Sequence, residues 1–353
     1  MYSIALYPGD GIGIEVLNEA VSVLKAVEEV RGQKLFDFTQ FDWGSVLWKR
    51  TGRLVPENYL DKLRDFDVVF LGALGDPANV PDHISLVPLI EMRQSFDQYV
   101  CLRPAKLLPG VRCPLAGKEC GDIDILVIRE NSEGEYADVG GGLKVGREDE
   151  ISIQTAVHTR HGIERIIRYA FTAAGLRRHK LTVATKSNAL KYGMVLWDAT
   201  FEDVRKDYPH IKADKCHVDA LAMNLVRWPE RYDVVVASNL FGDILSDLGG
   251  VISGSLGMAP SANINPERRY PSLFEPVHGS APDIAGKGVA NPIAAIRSGA
   301  MMLEFLGLQE EATLVENAVK GCLVDGRALT PDIGGTATTS IVGADIRSRI
   351  LAQ

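Results

Sequence analysis

Short apolar runs separated by amphipathic segments are the feature of this sequence that most restricts its fold. Most are rich in β-branched residues and lack the apolar-polar alternation of a sheet with one solvated face. The runs are SIALYP, DVVFLGA, DIDILVI, KLTVAT and DVVVASN. Continuous apolar strands are typical of parallel sheets that helices cover on both faces. The sequence therefore predicts an α/β fold.

The intervening segments predict the helices and one hairpin. Residues 160–175 place their isoleucines and Phe171 on one face and end at Gly175, which predicts an amphipathic helix. A shorter helix is predicted at 55–67, running into the next strand. Residues 136–158 alternate in polarity around glycines and predict a β-hairpin extending from the parallel sheet, a feature that often joins subunits.

The turn GDGIG after the first strand resembles a dinucleotide-binding loop, and the spacing of its glycines tests that interpretation. In G-x-G-x-x-G the third glycine lets the helix pack against its strand. Gly9 and Gly11 fit, but Ile14 occupies the third position and Gly13 falls one residue early. The spacing favours a simple strand-to-helix turn, so a nucleotide pocket is expected elsewhere. The irregular stretch 274–292 is the first candidate, because long ordered loops are usually functional.

Composition restricts the class of protein. A chain of 353 residues, 46% hydrophobic and 24% charged, is long enough for two domains. The net charge of −8 argues against a nucleic-acid or anionic-membrane partner. Five cysteines without a C-x-x-C pair suggest reduced thiols. Neither a leader peptide nor an 18-residue apolar run is present, so a cytoplasmic location is expected.

Two aspartates four residues apart, Asp243 and Asp247, would lie on one face of a helix. Their charges repel, and the neighbouring residues are apolar rather than basic. A divalent cation would resolve the repulsion, since carboxylate oxygens suit Mg²⁺ or Mn²⁺. A solvated helix edge explains the same spacing, so the pair alone leaves both interpretations open.

Four basic residues lie in or beside polar junctions, three of them next to predicted strands: Arg93, Arg103, Arg129 and Lys186. Three guanidinium groups that converge on one cleft would bind a dicarboxylate, but each taken singly is more often a surface residue. The lysine directly follows a strand, where side chains line the ligand crevice of α/β sheets. It could act as a base there, or face solvent.

Taken together, eight motifs in order resemble the isocitrate and isopropylmalate dehydrogenase family of metal-dependent decarboxylating β-hydroxyacid dehydrogenases. They are GDGIG, RPAKLLPGV, RENSEGEY, TKSNA, VDALAMNLV, SNLFGDILSDLGG, GSLGMAPSANI and EPVHGSAPDIAGKGVANP. The resemblance covers essentially the whole chain. It implies an isopropylmalate dehydrogenase-like α/β fold, a non-Rossmann two-domain open sheet with an interdomain cleft.

The family's domain arrangement places both chain ends in one domain. By this resemblance, residues 1–99 and 255–353 would form a cofactor-side domain. Residues 100–254 would form the substrate and dimerisation domain, with the hairpin at about 136–158 as an arm.

The resemblance also implies roles for the residues singled out above. The carboxylates of a malate-type substrate would be bound by Arg93, Arg103 and Arg129. A divalent ion, Mn²⁺ or Mg²⁺, would be held by Asp243, Asp247 and Asp219 of the partner subunit, and K⁺ is a further candidate ion. Lys186 of the partner subunit would assist removal of the hydroxyl proton, and Tyr136 would protonate the enol. The active site would therefore exist only in a homodimer.

The reaction implied is oxidation of a 2-hydroxy acid to a keto acid, followed by loss of CO₂ to an enolate held on the metal. The family's adenosine-binding positions correspond to Glu275, His278, Gly279, Ser280, Ala281, Asp283, Ile284 and Asn291. Isocitrate members that use NADP tend to carry lysine and tyrosine in place of Asp283 and Ile284. A carboxylate accepts hydrogen bonds from ribose hydroxyls and would repel a 2′-phosphate, so NAD is predicted.

The substrate is narrowed but not fixed by the sequence. Val87 and Leu89 stand where isocitrate enzymes resemble S-x-N, which disfavours isocitrate. Several stretches, including PDHISL, WDATFEDV and SANINPER, resemble the D-malate and tartrate branch. That branch usually has a Trp-Gly pair after HISL, whereas this chain has Val87-Pro88 and one residue fewer. We predict D-malate and/or tartrate, with 3-isopropylmalate as the alternative and a non-catalytic regulatory homologue as a remote one.

Overall fold

Twelve strands and twelve α-helices alternate along the chain in a computed structural model that describes all 353 residues. The strands are β1 Tyr2–Gly9, β2 Phe36–Gln40, β3 Val68–Ala73, β4 Val100–Lys106, β5 Asp124–Glu130, β6 Gly140–Leu143, β7 Ile151–Gln154, β8 Lys180–Thr185, β9 Lys212–His217, β10 Val234–Ala237, β11 Pro260–Ile264 and β12 Ser272–Pro276. The helices are α1 Gly13–Arg31, α2 Ser45–Thr51, α3 Tyr59–Arg64, α4 Asp82–Ser85, α5 Val87–Ser95, α6 Arg160–Gly175, α7 Gly193–Val204, α8 Val218–Arg227, α9 Asn239–Ile252, α10 Ile293–Phe305, α11 Gln309–Asp325 and α12 Thr339–Leu351.

Ten of the strands form one sheet in the order β2-β1-β3-β12-β11-β4-β5-β10-β8-β9. All five apolar runs form strands of this sheet, and β3, β8 and β10 are almost entirely buried. The sheet is mixed rather than parallel, because β4 runs antiparallel to both β5 and β11, and β11 antiparallel to β12. These antiparallel strands form the middle of the sheet, where the chain returns from the second half of the fold to the first.

The strand order bears on the predicted domains. Strands from 1–99 and 255–353 occupy one side of the β11–β4 pairing, and strands from 100–254 occupy the other. A continuous core runs beneath both sides, so the sheet itself does not separate two folding units. The division into two domains at this pairing stays a prediction.

Helix α6 begins and ends where the periodicity predicts, and the hydroxyl of Thr159 accepts a hydrogen bond from the Gly162 amide as its N-cap. The helix predicted at 55–67 is shorter than expected. Only α3 is helical, because the chain first turns at Pro56, whose carbonyl accepts from the Tyr59 amide.

The hairpin predicted at 136–158 is present as β6 and β7, but it forms a two-stranded sheet of its own. Every residue of its two strands is exposed, including Leu143, Ile151 and Ile153. Two strands alone are marginally stable in water, so such an apolar arm suits contact with another surface. None of the helices combines the length and apolar composition that a membrane-spanning helix needs.

The GDGIG segment forms a strand-to-helix turn, as its spacing predicts. Ile14, which stands at the third position of the fingerprint, points outward with 45% of its surface exposed. Gly13 makes the close approach instead, since a Cβ there would lie 2.4 Å from the Ala73 nitrogen and 2.5 Å from the Pro8 oxygen. The helix therefore packs against the sheet through Gly13, one position earlier than the third glycine of the Rossmann fingerprint. The turn is not a Rossmann dinucleotide-binding loop, as predicted.

Candidate active site

One cavity of about 300 Å³ gathers most of the residues predicted to bind substrate or metal. Its polar lining comprises Arg93, Arg103, Arg129, Tyr136, Asp243, Asp247, Glu275 and His278. Its apolar lining includes Leu71, Ala73, Leu74, Leu86, Leu89 and Ile90. The lining of the cavity therefore combines charged side chains with an aliphatic surface.

Three elements bring the arginines together. Arg93 lies in the last turn of α5, Arg103 on β4 and Arg129 on β5, which pairs with β4. Their exposures are 5%, 7% and 1%. The interpretation of each as an isolated surface residue is therefore wrong. Buried guanidinium groups need anionic partners, so a site holding three of them suits a ligand with more than one carboxylate.

Asp243 is the anion that Arg103 and Arg129 share. Its Oδ1 accepts hydrogen bonds from Arg129 Nη1 at 2.5 Å and from Arg103 Nη1 at 2.9 Å. Its Oδ2 accepts one from the Tyr136 hydroxyl at 3.1 Å. Asp247 lies one turn further along α9, 3.6 Å from Arg103 Nη1, with its side chain 56% exposed. Both carboxylates thus face the cavity from one helix, as their spacing predicts.

The pKa values of the two carboxylates are shifted in opposite directions. Burial raises the pKa of Asp243, but the guanidinium groups of Arg129 and Arg103 outweigh it and hold that pKa below its ordinary value. Burial and then the charge of Asp243 raise the pKa of Asp247, and the charges of Arg103 and Arg129 offset this only in part. Burial, and then the charge of Asp243, raise the pKa of Tyr136, which keeps its hydroxyl protonated.

Arg129 is fixed on its other side by a residue that the sequence did not single out. Asn239 Oδ1 accepts from Arg129 Nε at 3.0 Å and Nη2 at 2.6 Å, while Asn239 Nδ2 donates to the Glu133 carbonyl at 2.9 Å. Gly242 allows this approach, since a Cβ there would lie 2.7 Å from the Arg129 side chain. An asparagine at the start of a helix is usually a helix cap, so the sequence gave no indication that Asn239 contacts Arg129.

The predicted adenosine-binding residues separate into two groups. Glu275 lies within the cavity on β12, where its Oε1 accepts from Arg93 Nη2 at 3.0 Å and from Asn263 Nδ2 at 2.8 Å. His278 and Gly279 line the outer part of the same cavity. The remaining five lie on the irregular stretch that follows β12: Ser280, Ala281, Asp283, Ile284 and Asn291.

That stretch is attached to the GDGIG turn. The Ile12 amide donates to the Ser280 carbonyl at 2.9 Å, so turn and loop form one surface beside the cavity. Asp283 is exposed on this loop, whereas Asn291 is buried and donates to Asp332 at 3.0 Å. The exposed carboxylate remains available to a ligand, and the buried amide holds the loop's end in place.

Lys186 and Asp219 lie outside the cavity. Lys186 follows β8, Asp219 lies in the first turn of α8, and their charged groups are 2.8 Å apart. The hydrogen bond from Lys186 lowers the pKa of Asp219. No group of three or more acidic, cysteine or histidine side chains within the chain is arranged to hold a metal ion. Within one chain Asp219 does not line the cavity with Asp243 and Asp247, and its contribution from a second copy of the chain stays a prediction.

Comparison with known proteins identifies the class. The model of the isocitrate/isopropylmalate dehydrogenase family matches residues 3–346. The chain belongs to this family. Its predicted fold is confirmed by a crystal structure of isocitrate dehydrogenase from Methylococcus capsulatus, which is 38% identical and superimposes with a TM-score of 0.90 over 99% of this chain and all of the other.

Named relatives of this family member support the predicted branch. D-malate dehydrogenase [decarboxylating] from Escherichia coli is 52% identical over 99% of this chain and 98% of its own length. Tartrate dehydrogenase/decarboxylase from Pseudomonas putida is 50% identical over 98% and 96%. The predicted resemblance to the D-malate and tartrate branch is thus confirmed. The chain is an enzyme, a decarboxylating dehydrogenase acting on a CH–OH group.

Proposed function

We propose that this enzyme catalyses the NAD-dependent oxidative decarboxylation of a malate-type 2-hydroxy acid, D-malate and/or tartrate. The observation that carries the proposal is the convergence of three buried arginines and two aspartates on one cavity. Relatives named for D-malate and tartrate support the choice of acid. A four-carbon dicarboxylate has two anionic ends to pair with the arginines, and the cavity of about 300 Å³ accommodates it.

The chain's own residues would divide the work. Arg93, Arg103 and Arg129 bind the carboxylates and orient the CH–OH group. Tyr136 donates a proton to the carbon from which CO₂ has left. The partner subunit's Lys186 accepts the hydroxyl proton, because in a single chain that lysine lies outside the cavity. The buried guanidinium groups also stabilise negative charge that develops on the substrate.

The donor set fits a divalent cation. Asp243 and Asp247 present carboxylate oxygens from one helix face, and Mg²⁺ and Mn²⁺ prefer such hard ligands. Asp219 of the partner subunit would be the third ligand. The bound ion would withdraw electrons from substrate oxygens and so ease loss of the hydroxyl proton. A monovalent ion such as K⁺ has no assigned ligands here.

NAD is the proposed hydride acceptor. The exposed carboxylate of Asp283 can accept hydrogen bonds from ribose hydroxyls and would repel the 2′-phosphate of NADP. The loop that carries it adjoins the cavity through His278 and Gly279. Binding there would bring the nicotinamide end of the cofactor to the substrate, which hydride transfer requires.

One observation favours 3-isopropylmalate as a second candidate. Leu71, Leu74, Leu86, Leu89 and Ile90 line one side of the cavity. An isopropyl group would bury apolar surface there, whereas D-malate leaves this wall without a partner. Leu86, the last residue of HISL, lines this wall directly before α5, so the one-residue difference from the D-malate and tartrate branch falls beside it.

A substrate panel tests the proposal. With Mn²⁺ and either NAD or NADP, we compare kcat/KM for D-malate, tartrate and 3-isopropylmalate. We expect D-malate or tartrate to give the highest value with NAD. Highest efficiency with 3-isopropylmalate would replace the substrate, and equal efficiency with NADP would overturn the cofactor. Inactivity with all three acids would favour a non-catalytic regulatory homologue.

A further inference from the structure

A second cavity, larger than the candidate active site, lies on the opposite face of the same strands. We call it the rear cavity; its volume is about 660 Å³. Along β4, Arg103 faces the active site while its neighbours Leu102 and Pro104 line the rear cavity. Along β12, Glu275 and Phe274 divide in the same way. Side chains on a strand alternate between faces, so the two cavities share one floor.

The rear cavity stands between helices from the two sides of the sheet. Its floor consists of buried apolar side chains, among them Ala262 and Phe274. One wall is α6, through Tyr169 and Ala173, and the opposite wall is formed by α10 and α11. The half-buried Met301 of α10 adds further apolar surface.

Some of the charged side chains that line this cavity have ion-pair partners, and others do not. Four cationic side chains line it, against two acidic ones, Glu304 and Glu316. Lys106 and Arg177 are paired with Asp124. On the opposite wall, Arg297 and Lys320 are balanced in number by Glu316 and the unpaired Glu304, so the wall carries no net charge. Arg297 and Lys320 nevertheless each retain a donor that can bind an anion.

The first is Arg297, which is 5% exposed. Its Nε donates to Glu316 at 3.0 Å and its Nη1 to the Met258 carbonyl at 2.8 Å, while Nη2 donates no hydrogen bond within the chain. The second is Lys320, one helical turn beyond Glu316 on α11, which forms no ion pair. Both lie beside apolar surface, where a charged ligand would be partly desolvated and strongly attracted.

We propose that the rear cavity binds a small amphipathic carboxylate. Its anionic head would contact Arg297 and Lys320, and its hydrocarbon body would cover the apolar floor. The rear cavity, at about 660 Å³, is more than twice as large as the active-site cavity, at about 300 Å³. This volume leaves room for a flexible chain. Mostly apolar pockets with a few placed charges are the usual form of small-molecule sites.

Occupancy of the rear cavity would influence the active site. Strands β4 and β12 line both cavities, so a ligand held between α6 and the helices α10 and α11 would restrain the strands that carry Arg103 and Glu275. A restrained active site loses less conformational entropy when substrate binds, so substrate affinity would rise. By linkage, substrate would raise the affinity for the rear ligand by the same factor.

Isothermal titration calorimetry with decanoate tests the proposal on the full-length enzyme. Thr313→Trp fills the rear cavity from an exposed position on α11, and Lys320→Gln removes one cationic group. We expect Lys320→Gln to weaken decanoate binding at least about tenfold, the loss typical of one charged contact, and Thr313→Trp to weaken it at least as much by occupying the volume that the hydrocarbon body needs. Lys25→Gln is the matched control, since Lys25 lines a different cavity of about 290 Å³ and forms no ion pair.

Two further measurements decide the ligand class and the coupling. Decanol, which lacks the charge, should bind at least about tenfold more weakly than decanoate. Saturating decanoate should strengthen D-malate binding by about fivefold or more. Undetectable decanoate binding, or binding that neither variant weakens, overturns the site; equal binding of decanol overturns the carboxylate class, and unchanged D-malate affinity overturns the coupling.

Discussion

At the residue scale, the position of Arg129 depends on a side chain that would not itself touch the substrate. Asn239 accepts two of its hydrogen bonds and leaves only Nη1 directed at Asp243. A guanidinium group held on one side loses less conformational entropy when a carboxylate binds. We therefore regard Asn239 as a positioning residue for the candidate active site.

Replacing Asn239 by alanine tests this role. Loss of hydrogen bonds to a charged group amounts to about 1.5–3 kcal/mol, so we expect KM for the preferred acid to rise about tenfold or more. We expect kcat to change less, because the arginine remains present once substrate is bound. Asn18→Ala, on the exposed face of α1, is the control; equal changes in both variants would contradict the assignment.

Single residues also show the limit of sequence reasoning. Residue types and spacing suggested the aspartate pair and the arginines, but their convergence followed only from the family resemblance. The pairing of Glu275 with Arg93 joins residues 182 positions apart, so no local pattern could reveal it. Asn239 escaped notice because the same residue type at a helix start is usually a cap.

At the scale of elements, the contact between α1 and the sheet depends on Gly13. A methyl group there would meet backbone atoms of Ala73 and Pro8, which cannot move aside as a side chain can. We expect Gly13→Ala to destabilise the fold by about 1–3 kcal/mol and to lower Tm by several degrees. Differential scanning calorimetry measures the shift.

The control for Gly13 is Gly141→Ala, because a Cβ at Gly141 has nothing within 4 Å. Its Tm should stay close to that of the wild type. A similar loss in both variants would contradict the role of close packing at Gly13, because Gly→Ala by itself lowers the entropy of the unfolded chain and favours folding.

The junction of α6 with β5 and β10 predicts a pH dependence. Burial raises the pKa of Asp124, but the hydrogen bond from Arg177 and the charges of Arg177 and Lys106 outweigh it, so the pKa is lowered. Stability from this carboxylate is then present above its ordinary pKa of about 4 and is lost as pH falls through the lowered value.

Thermal unfolding from pH 6 to pH 3 checks this effect. We expect Asp124→Asn to have a lower Tm than the wild type at pH 6, and the difference to shrink as the pH approaches 3. A difference that stays constant over the range would show that Asp124 contributes by packing alone.

Elements with a strong hydrophobic signal were predictable from the sequence, and polar ones were not. Strands such as β3 are buried on both faces, so they appear in the sequence as continuous apolar runs. Strand β9 is an edge strand whose polar sequence, KADKCH, carries no such signal. Strand order and the antiparallel middle of the sheet depend on contacts between distant segments, which single-sequence periodicity does not encode.

At the scale of the whole molecule, the proposed division of one active site between two chains can be tested by mixing inactive variants. Lys186→Met and Tyr136→Phe should each abolish most activity as homodimers. After joint unfolding and refolding, half of the dimers are mixed, and one of their two sites holds both native residues. We expect about a quarter of wild-type activity to return.

This recovery has a direct counter-result. If Lys186 acts within its own chain, mixed dimers contain no fully native site, and activity stays at the level of the separate variants. Size-exclusion chromatography with light scattering establishes that mixed dimers have formed.

The shared floor of the two cavities has a consequence for how this enzyme can diverge. Positions 103 and 275 look into one compartment, and their immediate neighbours 102 and 274 look into the other. Substitutions at neighbouring codons can therefore reshape one compartment or the other through different side chains. A lineage can thus vary the lining of the rear cavity while it keeps the residues of the candidate active site.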